Sequence, residues 1–161
     1  MAASLAAALV FSSFVGLLLL VVHLLIAGFV LGVVTHHWWL LLRPDVPEAR
    51  LAKYARWMAI GYPLSWLMGV VIYPSYNVLI RKPPIGVLEH MARWAVGMFE
   101  IKEHVGSIAL AMLPWLVLSA VRYGRLSRVE RISYLAATWV FTLFVYYAFI
   151  TGALVTMMKS F

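Results

Sequence analysis

Residues 2–42 read AASLAAALVFSSFVGLLLLVVHLLIAGFVLGVVTHHWWLLL, a run without one formally charged side chain. A helix crosses the hydrocarbon core of a bilayer in about 20 residues, so a run this long must tilt or project beyond the core. Its beginning resembles the apolar region of a signal peptide. The basic residues that precede such a region are missing, and the run is read as a retained membrane helix over about residues 5–42.

Moving outward, Arg43-Pro44-Asp45-Val46-Pro47 breaks that helix, because two prolines cannot continue it. Pro47-Glu48 suits a fresh start, with an acidic residue in the first turn. A second helix is expected over 48–73, with Pro63 as a kink site and Pro74-Ser75-Tyr76-Asn77 opening the next loop. A third is expected over 86–121 after Arg81-Lys82-Pro83-Pro84, with a bend at Pro114. A fourth is expected over 129–158, capped by Ser127. The expected fold is all-α, an integral membrane four-helix bundle with long transmembrane helices, forming one domain over 1–161.

Composition agrees. The chain is 65% hydrophobic and 12% charged, with mean hydropathy +0.94, whereas soluble domains keep about a quarter of their residues charged. With no cysteine, disulfides, thiolate zinc sites, iron–sulfur clusters and covalent haem attachment are excluded. The net charge of +7 does not point to nucleic acid, since the bases lie between apolar runs, where they meet anionic headgroups. Arg43, Arg50, Lys53, Arg56, Arg122, Arg125, Arg128 and Arg131 fall on loops one and three, against Arg81, Lys82, Arg93 and Lys159 opposite. That bias places loops one and three in the cytoplasm and both termini outside, in an inner (cytoplasmic) membrane.

The histidines all fall on the first and third helices: His23, His36 and His37 on one, His90 and His104 on the other. These helices run parallel, and laying their apolar runs side by side puts His23 level with His104. Two imidazoles facing each other suit a bis-histidine haem b, each ligating the iron axially. The expectation is one central haem held by His23 and His104. His90 and His104 are 14 residues apart, and a similar spacing separates His23 from His36 and His37. This is similar to the spacing in two-haem cytochromes b, a resemblance confined to these positions. It implies a variant pairing His23 with His90, and His36 or His37 with His104. Without a cofactor, these histidines would hydrogen-bond across helices, and His36-His37-Trp38-Trp39 would form an interfacial belt.

Phe99-Glu100-Ile101-Lys102-Glu103-His104 places four ionisable groups in five residues of the third helix. Charge in lipid is costly, so these groups must face protein or water. Glu100, Lys102 and Glu103 are read as partners orienting a haem-ligating histidine, as a proton relay, as part of a direct metal site (the weakest of these, since no other span supplies an acid at that depth), or as an ion-pair network that fixes assembly. Lys102, on the side of the helix away from Glu100, needs a partner on another helix or subunit. The aromatic residues could line haem or a quinone, or simply pack, and Gly28, Gly32, Gly97 and Gly106 would permit close helix approach.

No nucleophile–base pattern, His-Glu-x-x-His or soluble substrate domain is visible, so a non-catalytic subunit is expected rather than an enzyme. In architecture the chain resembles small four-helix b-type cytochrome subunits. The leading expectation is an electron-transfer subunit with haem b between helices one and three, in a respiratory or photosynthetic complex with other membrane subunits. The alternatives are a proton- or ion-conducting subunit using the charged stretch, and a cofactor-free structural subunit.

Overall fold

The computed structural model describes residues 14–77, 81 and 92–158, and four long helices account for nearly all of them. They are α1 Phe14–Leu41, α2 Glu48–Tyr76, α3 Arg93–Val121 and α4 Arg128–Met158. A single tight turn, Tyr123–Arg125, lies between the last two. At 1.5 Å per residue each helix is about 42 Å or longer, enough to cross a hydrocarbon core of about 30 Å. All four are apolar enough to do so.

Two of the starts have a local cause. Pro47 is extended, with φ −77° and ψ 93°, and its carbonyl accepts the Arg50 and Leu51 amides. Ser127 and Glu130 cap α4 reciprocally: the Ser127 amide donates to the Glu130 carboxylate at 2.7 Å, and the Glu130 amide donates to Ser127 Oγ at 3.3 Å.

Two expected boundaries differ. The second helix does not stop at residue 73 but continues through Pro74 to Tyr76. Tyr76 is buried there, its ring stacked on Phe99 with centroids 4.2 Å apart, and that packing extends the helix. The third helix begins at Arg93, because Ala92 is non-helical at φ −147°. No helix breaker stands beside Ala92. It is buried against Tyr76, Val96 and Val155, so packing rather than propensity turns the chain. Residues 86–91, with His90, lie outside the described residues, as do Lys82 and Lys159.

Each helix packs on its neighbours in the cycle α1–α2–α3–α4–α1, with α1 and α3 on one diagonal. The outer surface is apolar: Leu17, Leu25, Ile60, Leu67, Ile108 and Ile150 are all more than half exposed. An outside this apolar matches a lipid solvent. At the α1–α2 seam Gly61 permits close approach: an added methyl would stand 2.9 Å from Val30 Cγ2. Gly28, Gly32 and Gly97 meet nothing within 4 Å of an added methyl, so close approach is not their role among the described residues.

Candidate functional site: a polar layer between two apolar cores

The apolar interior is divided. One cluster, which includes Val30, Val34, Met58, Leu116 and Phe141, fills the half of the bundle nearest loops one and three. A smaller one, Tyr76, Ala92, Ala95, Val96 and Val155, closes the opposite end. Between them every helix contributes polar or small groups: His23 from α1, Gly69 from α2, Lys102 from α3, Thr151 and Gly152 from α4.

Counted from the shared end of the parallel pair, His23 lies 18 residues before Leu41 and Lys102 lies 19 before Val121. At 1.5 Å per residue both are about 27–29 Å from that end. They are electrostatic neighbours. The His23 ring lies beside the Ser65 backbone, and a methyl added at Gly69 would stand 3.7 Å from its Cε1. Its Nδ1 is buried with no hydrogen bond among the described residues, and so is Thr151 Oγ1. Such groups retain bonding capacity that water can meet.

Lys102 reaches across to α4. Its Nζ is 4.6 Å from the centroid of the Phe99 ring and 3.4 Å from where a methyl on Gly152 would stand. Gly152 leaves room for the ammonium, and Phe99 offers it a π-face in addition to the charge of Glu103. Between Lys102 and the bundle end lies a mixed-charge mouth. Glu103 is within electrostatic reach of Lys102, Arg81, Glu100 and His104. Arg81 bonds the Glu100 carboxylate at 2.5 Å. Tyr73 and Tyr76 flank the Phe99 ring at the same end.

The remaining histidines behave differently. His104 is exposed, and its Nδ1 is 2.8 Å from the Glu100 carbonyl one turn back. A carbonyl only accepts, so Nδ1 carries the proton and the Nε2 lone pair is available on an outward ring. His36 repeats this with Gly32 at 2.8 Å and stacks on Tyr54. Within one chain, therefore, His23 and His104 do not face each other: one belongs to the polar layer, the other to the outer surface. Lys102 and His104 are two residues apart, which is 200° around a helix. The depth match between α1 and α3 holds to within two residues, and the rotation brings Lys102 inward instead.

His37 is fully buried near the other end, with Nε2 2.5 Å from the Tyr134 hydroxyl. Trp115 and Tyr123 pack around Tyr134. Tyr134 and Gly152 were missed in reading the sequence. The only available signal was depth: Tyr134 lies six residues into α4 and His37 four from the end of α1. Tyr62 joins α2 to α3 through the Gly106 carbonyl at 3.0 Å, one turn beyond Lys102. Among the described residues, no group of three or more His, Cys, Asp or Glu converges as a metal site.

No protein family, curated protein or solved structure matches the chain. The geometry stands alone.

Proposed function

We propose that this chain is a multi-pass membrane protein that handles protons, using Glu103, Lys102 and His23 as exchange groups. The observation that carries this reading is the polar layer itself: an amine and an imidazole from two helices, held inside the bundle between two apolar cores. Ionisable groups at such depth are expensive and are kept where protons or ions move. In this reading protons enter past the Arg81–Glu100 pair, reach Glu103, and pass to Lys102 and His23. The apolar cluster around Val34, Met58 and Phe141 then acts as the barrier. His37 and Tyr134 form the polar group on its far side. The chain sits in an inner membrane with loops one and three cytoplasmic, where the eight exposed bases of those loops lie.

The test is proton flux into liposomes carrying the purified protein, driven by a potassium diffusion potential and read with a trapped pH dye. Wild-type protein should conduct, while Lys102→Met and Glu103→Gln should each fall at least about tenfold, the loss expected when a positioned proton-transfer group is removed. Folded wild-type protein no leakier than empty liposomes would refute the reading.

One observation favours a second reading, electron transfer through haem b. His104 presents an Nε2 lone pair on an exposed ring whose Nδ1–H is fixed by a backbone carbonyl, the orientation an axial ligand requires. The haem would then lie between His104 and a histidine of a neighbouring subunit. A reduced-minus-oxidised spectrum of haem-supplied protein should show a b-type α band that is lost in His104→Ala. A flat spectrum removes this reading.

A further inference from the structure

At the basic end of the bundle, a groove of about 490 Å³ runs between the last turn of α1 and the first turns of α4. Its wall is apolar: Leu41 from α1, Ile132 and Leu135 from α4. Its rim is cationic, formed by Arg128 and Arg131, which lie three residues apart on one helix face. No acidic side chain lines it among the described residues. The adjacent groove beside Arg122 and Arg125 differs, because Glu48 already lines it and balances charge within the chain.

Arg131 is held in place. Its Nε donates to the Leu126 carbonyl at 3.1 Å, one Nη donates to the Gly124 carbonyl at 3.4 Å, and the guanidinium lies 5.2 Å from the Tyr123 ring centroid. A guanidinium has five N–H donors, so several remain to present a planar fork. Arg128 is exposed and, among the described residues, makes no bond within the chain. The depth fits a headgroup, since Trp39 near the end of α1 is 57% exposed, as an interfacial anchor is.

We infer that this groove binds an anionic phospholipid, its phosphate on Arg128 and Arg131 and its acyl chains along Leu41, Ile132 and Leu135. Guanidinium forks match phosphate oxygens two at a time. The apolar wall below requires a ligand with chains, which a free phosphate lacks. Basic pockets at the cytoplasmic ends of membrane helices are suited to such headgroups.

The experiment is native mass spectrometry of the full chain in detergent, titrated with phosphatidylglycerol or phosphatidylcholine. The expected result is preferential retention of phosphatidylglycerol, weakened about fivefold by Arg128→Gln, the effect of one interfacial cation. Arg131→Lys, which keeps the charge and removes the fork, should also weaken retention. Arg50→Gln, an equal charge loss at the same end but outside the groove, should leave it unchanged. The inference is overturned if Arg50→Gln matches Arg128→Gln, since a diffuse field would then explain the binding. It is also overturned if phosphatidylcholine is retained equally, or if glycerophosphoglycerol without chains competes at equal concentration.

Discussion

Lys102→Met should leave the fold as stable as wild type or about 1 kcal/mol more stable, even as it removes proton flux. The magnitude comes from two opposed terms. The loss is the contact of the ammonium with Phe99, 4.6 Å from the ring centroid, worth about 2 kcal/mol where it is desolvated. The gain is relief from holding a charge at membrane depth, about 3 kcal/mol on insertion scales. Methionine is unbranched and close in length, so it fills the space beside Gly152 without leaving a cavity. Glu103 loses one positive neighbour but keeps Arg81 and His104 within electrostatic reach, so no carboxylate is left without one. The assay is reversible unfolding of the purified protein in mixed micelles with rising dodecyl sulfate, followed by far-UV circular dichroism and tryptophan fluorescence. A destabilisation of about 2 kcal/mol or more would refute the reasoning, placing Lys102 among residues kept for assembly, as when one partner of a well-made buried pair is removed.

Tyr134→Phe removes the hydroxyl that bonds fully buried His37 and should cost about 1–3 kcal/mol. In a double-mutant cycle with His37→Leu, the second change should cost less than it does alone, and additive costs would show that the contact carries no energy. Gly61→Ala brings a methyl to 2.9 Å from Val30 Cγ2 and should cost about 1–3 kcal/mol by overpacking the α1–α2 seam. Val30→Ala in the same chain should restore part of that loss in the same unfolding assay. Arg81→Gln should cost about 1–3 kcal/mol, because the guanidinium that bonds Glu100 is itself only 14% exposed; no loss in the same unfolding assay would mean that water replaces it fully.

Much of the architecture was legible in the sequence because hydrophobic length is a one-dimensional property. The charge-free run before Arg43, the Pro47–Glu48 start and the Ser127 cap of α4 all correspond to features of the fold. The boundaries that shifted are those where distant packing overrides local preference. Pro74 stays helical because Tyr76 is anchored on Phe99, and Ala92 turns because it is buried against Tyr76 and Val155. Neither contact has a signature within a short window of sequence.

The candidate site was legible in depth and not in rotation, for a physical reason. A helix that faces core on one side and lipid on the other is apolar all round, so its inward face leaves little amphipathic trace. On α1, Leu17, Val21 and Leu25 are exposed although they are as apolar as buried Val30 and Val34. Depth along parallel helices placed His23 level with His104, and nothing in the pattern showed that Lys102, two residues earlier, is the one that turns inward. The decision is made by the partners. Gly152 on α4 leaves room beside the Lys102 ammonium, and Phe99, three residues before Lys102 and so on a neighbouring face of the same helix, supplies a π-face there. His104, rotated by 200°, is carried to the outside, where its Nδ1 is satisfied by its own helix. A lysine turned toward lipid could not be satisfied in this way, because a carbonyl one turn back cannot neutralise an ammonium in hydrocarbon. Of the two residues, the histidine is therefore the one that tolerates the outer surface, and the lysine is the one the bundle must enclose.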